Sequence, residues 1–334
     1  MEVPADMMRL VASLLALILV LGACASADDD TLTIYSGRGE ELVGPVIERF
    51  EEETGITVEV RYGDSAELAA TLLAEGEDSP ADVFFAQDPA SLGSVAAAGL
   101  FERLDDDILS LVDPRFSDAG GEWIGISGRV RVVAYDTSLV DPSTFPADED
   151  GFTDGAWANR VAIAPTNGSF LTFVAAKIVL DGEEATLAWL EGMAANNAPT
   201  YPKNSAIIAA IDEGQVEAGL VNHYYRMRFA AESPDTVVAN HFFDSESAGG
   251  LVMPAGVGVI GSSDAAVQFV EYLLSEESQR YFAETTFEYP LIGAVEADPG
   301  LTPLSELPQP DFDLSDLAGL LDRATELVAE AGLL

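Results

Sequence analysis

The chain has 334 residues, 48% of them hydrophobic, and its 58 acidic and 15 basic residues give a formal net charge of −43. That hydrophobic content excludes general disorder, and the length exceeds one comfortable core and points to two lobes. The charge excludes nucleic acid and anionic lipid surfaces as partners, since both would be repelled; it reads as an acidic, solvated surface suited to salty surroundings, with Lys177 and Lys203 the only lysines, and is by itself no sign of a metal site.

Residues 1–6 read as an upstream extension, with the start at Met7 or Met8. Residues 7–24 then form a leader: Met7-Met8-Arg9, an apolar block from Leu10 to Leu21, and Gly22-Ala23-Cys24. The block is too short to span a membrane and ends in small residues before a cut, as a signal peptide does. Leu21-Gly22-Ala23-Cys24 resembles the bacterial lipobox, which implies cleavage before Cys24 and a lipid on its sulfur. A plain secretory peptide with an incidental cysteine is the alternative, but Cys24 is the only cysteine and falls at that position. It also leaves no internal disulfide to form. The mature protein is therefore expected outside the cytoplasmic membrane, tethered as a lipoprotein through Cys24, with residues 25–30 as a polar linker.

Strand and helix patterns alternate from there. Leu32–Tyr35 reads as a strand, Ser36-Gly37-Arg38-Gly39 as a turn, and Glu40–Thr54 as a helix stopped by Gly55. Ile56–Arg61 is a second strand, followed by a helix to Ala74, the short buried strand Asp82–Phe85, and a helix from Pro89 to Ala98. This alternation predicts an α/β lobe with a mostly parallel sheet. Trp123–Ile126 and Val130–Tyr135 read as two further strands, and Val161–Ile163 as another, leading through Pro165–Gly168 into a helix over Ser169–Leu180. Helices over Ala185–Met193 and Ser205–Glu213 precede the strand Ala218–Val221, after which Tyr224 and Tyr225 open a helix to about Ala231. Pro254–Ile260, punctuated by glycine, reads as a crossing between lobes, where small residues absorb backbone rotation. Helices from Asp264 to Leu274 and from Ser275 to Ala283 follow. A Pro-rich tail leads to an amphipathic C-terminal helix outlined by Leu314, Leu317, Leu320, Leu321 and Leu327.

Adjacent tyrosines at the carboxyl end of a strand lie where open α/β sheets collect ligands. A phenol, with a pKa near 10, ionises at neutral pH only beside strong positive charge, which a hard trivalent cation supplies. Read alone, the pair Tyr224-Tyr225 is better explained by two ordinary amphipathic rings ending a buried strand; the rest of the chain reverses that. Helix starts flanked by Asn, Gly and Ser make anion sites from orphan backbone N–H groups and the helix dipole. Asn167-Gly168-Ser169-Phe170 has that form, Asn204 and Ser205 open another helix, and Asn222 stands beside the tyrosines.

Over nearly the whole mature chain the sequence resembles the bacterial ferric-ion-binding proteins, the extracytoplasmic receptors of iron(III) ABC transporters. The resemblance is carried by Ile34–Arg38, Pro80–Asp88, Ser127–Tyr135, Thr166–Phe170, Tyr201–Ser205, Asn222–Tyr225 and Ala255–Val259, in that order. It implies an α/β, two-lobe periplasmic-binding-protein type II fold, transferrin-like, with a hinge and an interlobe cleft. The lobes are expected at 31–127 with 257–305, and at 128–256 with 306–334. It further implies Fe³⁺ held by Tyr224 and Tyr225, with phosphate or carbonate as synergistic anion on Asn167, Gly168, Ser169, Phe170, Asn204 and Asn222. Some members add a third tyrosine at the place of Tyr135 and an arginine on carbonate, a part open here to Arg129 or Arg131; Arg38 is a further candidate for the anion. Two departures stand out. The family's histidine position holds Gly39, and its glutamate position holds Gln87, a poorer Fe³⁺ ligand. His223 is expected to be exposed.

The expected function is a lipid-anchored, monomeric solute-binding protein that captures ferric iron and delivers it to an ABC permease for import. The alternative is a binding protein for another cargo, such as a ferric chelate, an anion or a small organic solute. A sensor that signals to a membrane partner without transport stays open. Catalysis is not expected: with only His223 and His241 and no Gly-x-Ser-x-Gly elbow, no nucleophile–base set is visible.

Overall fold

The computed structural model describes residues 31–310 and 313–334; the leader, Cys24 and the linker lie outside them. Strand β1 (Thr31–Ser36) pairs in parallel with β2 (Thr57–Tyr62) and β3 (Val83–Ala86). Helix α1 (Glu40–Thr54) buries Leu42, Val46, Ile47 and Phe50 along one face and ends at Gly55, whose φ of 75° only glycine adopts without strain. Helices α2 (Ser65–Glu75) and α3 (Pro89–Ala97), the short strand β4 (Phe101–Glu102) and the single-turn α4 (Asp106–Leu109) complete this half.

Two long strands carry the chain between halves. Strand β5 (Ile124–Asp136) is buried over all 13 residues. Its first part pairs antiparallel with β9 (Val252–Ile260), and its second part with β7 (Ala218–Asn222) and β8 (Val238–His241). Strand β9 in turn pairs with β3, so the sheet runs β2-β1-β3-β9-β5-β7-β6, with β6 (Val161–Ala162) parallel to β7. Around the second half lie α5 (Gly168–Asp181), α6 (Glu183–Ala195), α7 (Asn204–Asp212) and α8 (His223–Glu232). Helices α9 (Asp264–Leu273) and α10 (Glu276–Tyr281), strand β10 (Tyr289–Pro290) and helix α11 (Leu321–Glu330) close the chain.

Three expectations are corrected. The strands read at Trp123–Ile126 and Val130–Tyr135 are one strand, β5, with a register shift between Gly125 and Ser127. The glycines there do not break the strand; they admit neighbours. A Cβ on Gly125 would stand 2.6 Å from the Phe116 carbonyl oxygen, and one on Gly128 3.2 Å from Leu291 and from Tyr289 of the paired β10. The helix read to Ala283 gives way after Tyr281 to a wide π-type turn over Phe282–Thr286. Phe287, at φ 58°, ends that turn. Finally, Leu314–Leu317 form a separate 3₁₀ turn, cut from α11 by Gly319 at φ 72°. That turn packs against α3 while α11 lies on α5 and α6, so the tail touches both halves.

Candidate metal and anion site

Strand β7 is wholly buried and passes at Asn222 directly into α8, so Tyr224 and Tyr225 lie on the first helical turn at the strand's carboxyl end. Their rings stack, with centroids 4.3 Å apart and planes 27° from parallel. Tyr224 is buried and Tyr225 half-buried. Burial, then the neighbouring Tyr225, pushes the Tyr224 phenol well above its usual range, while Arg38 and Arg129 pull the other way. Without a bound cation Tyr224 therefore keeps its proton at neutral pH. Tyr224 can turn anionic only when a strong positive charge arrives with it.

Three arginines reach this region, and they divide the work. Arg38, from the turn between β1 and α1, is buried and donates from Nη2 to Glu288 Oε1 at 2.6 Å. Glu288 also accepts from Ser127 Oγ at 2.8 Å; Arg38 and Arg129 together outweigh its burial and hold its carboxyl below the usual range. Among the described residues Arg129, on β5, hydrogen-bonds only to the Pro254 carbonyl, at 3.4 Å, and its Nε and Nη1 have no partner; the same two atoms of Arg38 are also unpartnered. Arg131 differs. It donates to the carbonyls of Ser169 (3.2 Å) and Leu220 (2.9 Å) and lies against the rings of Phe170 and Phe173. Burial lowers it to about 10, which leaves it charged at neutral pH. Arg131 braces the site, whereas Arg129 and Arg38 have donors to spare. A buried donor without a partner costs free energy, so these point to a missing acceptor.

The helix starts converge as well. Asn167 caps α5, its Oδ1 accepting from the Ser169 N–H at 3.2 Å and from Ser169 Oγ at 2.6 Å. Asn204, at the start of α7, donates to Ser169 Oγ at 3.2 Å and to Asn167 Oδ1 at 3.3 Å, while its own Oδ1 has no partner. Asn222 makes no capping bond. With Asp88, Arg129, Arg131, Ser169, Thr172 and Met253 it lines a small, partly open cavity. Phe170 contributes differently: its N–H bonds the Asn167 carbonyl at 2.8 Å and its ring is core, packed with Phe173 and Trp189. From the other half, Gln87 Nε2 comes within 4.0 Å of where a Cβ would stand on Gly168. Asp88 caps α3, accepting from the Ser91 N–H at 2.8 Å, and burial raises its carboxyl above the usual range.

Two sequence-derived positions fall elsewhere. Tyr135 pairs with Ala218, at the far end of β7 from Asn222 and about 13 Å away along the strand. It packs edge-on against Phe145, 5.2 Å between centroids, and does not join the site. His223 is fully buried, not exposed. Its Nδ1 accepts from the Val130 N–H at 3.2 Å, and its Nε2–H donates to the Phe287 carbonyl at 2.8 Å, which fixes the neutral tautomer. Sequence reasoning missed Glu288 entirely. Its partner Arg38 lies 250 positions away, and no local pattern marks a lone glutamate between Phe287 and Tyr289 as buried.

Residues 46–309 match the family described as bacterial extracellular solute-binding protein. An Fe(3+)-binding periplasmic protein of Serratia marcescens is 32% identical over 325 residues, covering 96% of this chain and 95% of its own. The chain belongs to the bacterial ferric-ion-binding group of extracellular solute-binding proteins. In three dimensions this solute-binding protein superimposes on iron-bound HitA from Pseudomonas aeruginosa with a TM-score of 0.85 and 35% identity, covering 90% of this chain and 99% of HitA. A Trichodesmium protein (IdiA, or FutA), solved with iron and citrate ligands, gives 0.78 at 26% identity, covering 90% and 99%. The family is non-catalytic, and its type II two-lobe architecture is the one described above.

Proposed function

We propose that this protein captures Fe³⁺ together with a synergistic anion between its two lobes and delivers it to an ABC permease for import, held at the membrane through Cys24. The observation that carries the reading is the stacked pair Tyr224-Tyr225 beside the buried arginines Arg38 and Arg129 with unpartnered donors. Fe³⁺ displaces the phenol protons, and two phenolates with an anion neutralise it in a cleft too dry for a bare cation. Arg129, Arg38 and the amides of Asn204 and Asn222 suit a small oxyanion such as carbonate or phosphate, because guanidinium forks and amide donors match its oxygens. Closure of the lobes around ion and anion then selects the form a permease recognises. The names of the relatives support iron as cargo.

The test is a visible spectrum of the purified protein after ferric loading with phosphate or with bicarbonate. A phenolate-to-iron charge-transfer band is expected, lost in Tyr224→Phe and in Tyr225→Phe. A full-strength band in either variant rules out that tyrosine as a ligand. A second reading, a ferric chelate as cargo, is favoured by the first lobe: Gly39 and Gln87 offer no anionic side chain, so another oxygen donor has room to complete the coordination.

A further inference from the structure

Every lysine and arginine among the described residues has a carboxylate within 4.0 Å except Arg129, Arg131, Lys203, Arg226 and Arg228. In a chain with 58 acidic residues, cations left without a carboxylate are a scarce resource. All five stand on the elements that build the tyrosine site. Arg129 and Arg131 face the inner cavity, and Arg226 is tied to the Val238 carbonyl at 2.9 Å. Lys203 and Arg228 do neither. They share with Tyr225 an open recess of about 320 Å³, completed by Ser205, Ile208, Phe229, Glu41 and Glu232. That size lies at the low end of small-molecule sites, roughly 300–1,000 Å³.

The acidic side chains of the recess bear on its sign. Glu41 belongs to the first turn of α1, and its carboxylate folds back over Gly39: a Cβ there would stand 2.5 Å from Oε2 and 2.6 Å from Oε1. In that position the helix dipole stabilises its charge. Glu232, four residues beyond Arg228, shares its face of α8 and lines the recess too, although it makes no ion pair with Arg228 within 4.0 Å. Beside Tyr225 the recess therefore holds an ammonium, a guanidinium and the Ser205 hydroxyl, together with the carboxylates of Glu41 and Glu232.

We propose that Lys203 and Arg228 form an outer anion subsite beside Tyr225, which takes the free carboxylates of a polycarboxylate chelator carried on the ferric ion. The inference rests on the ferric reading of the tyrosine pair and names the class of cargo that site receives. The two cations hold carboxylates that the iron leaves uncoordinated, while the phenolates hold the metal. Charge-assisted hydrogen bonds of this kind are the strong ones.

The probe is ferric citrate, titrated calorimetrically into the full chain, with Fe³⁺ plus phosphate and iron-free citrate as parallel arms. In the double variant Lys203→Gln/Arg228→Gln, ferric citrate is expected to bind about tenfold to a hundredfold more weakly, the loss of one or two charge-assisted bonds. The phosphate arm is expected to stay within about twofold, and iron-free citrate to bind far more weakly than its ferric complex. The charge-keeping swap Lys203→Arg/Arg228→Lys should retain most ferric citrate affinity, which separates charge from folding. Equal losses in the citrate and phosphate arms, or no loss with citrate, overturn the subsite. A wild type that colours with phosphate but ignores ferric citrate also overturns it and leaves iron capture standing. Failure to bind iron in any arm overturns both readings.

Discussion

Glu288 and His223 are buried beside the candidate site without belonging to a readable motif. Glu288→Ala leaves Arg38 charged and buried with no counter-ion, and is expected to cost about 3–5 kcal/mol in urea unfolding of the iron-free protein. Adding Arg38→Met should recover part of that loss, as a double-mutant cycle would show. His223 gives a pH dependence of known sign. Burial lowers it from 6.5 to about 4, so between those values the unfolded chain binds a proton that the folded chain excludes. Stability of the iron-free protein is therefore full above about pH 6.5 and falls by about 3 kcal/mol as pH drops to about 4. Denaturant midpoints at several pH values check this, and His223→Gln should flatten the curve across that window. The depressed carboxyl of Glu288 acts lower still, its contribution fading only as pH falls below the ordinary carboxylate range.

At the level of elements, the candidate site depends on β7 ending where α8 begins. That junction is legible in the sequence: an apolar run, an asparagine, then a helical pattern with the tyrosines on its first turn. The starts of α5 and α7 are legible for the same reason, since Asn and Ser caps are local chemistry. The continuity of β5 is not. Gly125 and Gly128 look like turn residues until Phe116, Leu291 and Tyr289 are seen pressing against them. Strand β9 shows the same constraint. A Cβ on Gly256 would meet the Ile124 carbonyl oxygen at 2.7 Å and Leu92 at 2.9 Å. Gly256→Ala is therefore expected to destabilise the protein by about 1–3 kcal/mol, measured by thermal or urea unfolding, because backbone cannot yield as a flexible side chain would. Gly55→Ala, with open space but a left-handed φ, should cost less than that steric clash, about 1 kcal/mol.

For the whole molecule, β5 and β9 are the two strands shared by both halves, and they are the natural place for lobe rotation. Loading with Fe³⁺ and anion is expected to shrink the radius of gyration in small-angle scattering; an unchanged radius would mean that the lobes do not close on this cargo. The net charge makes a separate prediction. Self-repulsion of so acidic a chain weakens with screening, so the melting temperature of the iron-free protein should rise as NaCl goes from about 0.05 to 1 M.

The amino-acid sequence alone determined the class of fold, the alternation of strands and helices, and the tyrosine and asparagine positions, because periodicity, caps and turn chemistry act between neighbours in the chain. Only the tertiary structure decided which charges meet. It put Arg38 on Glu288, tied Arg131 to carbonyls, left Arg129 open, buried His223 and took Tyr135 out of the site. The reason is that burial and pairing are settled by residues tens to hundreds of positions apart, and a charge's neighbours in space leave no periodic trace along the chain.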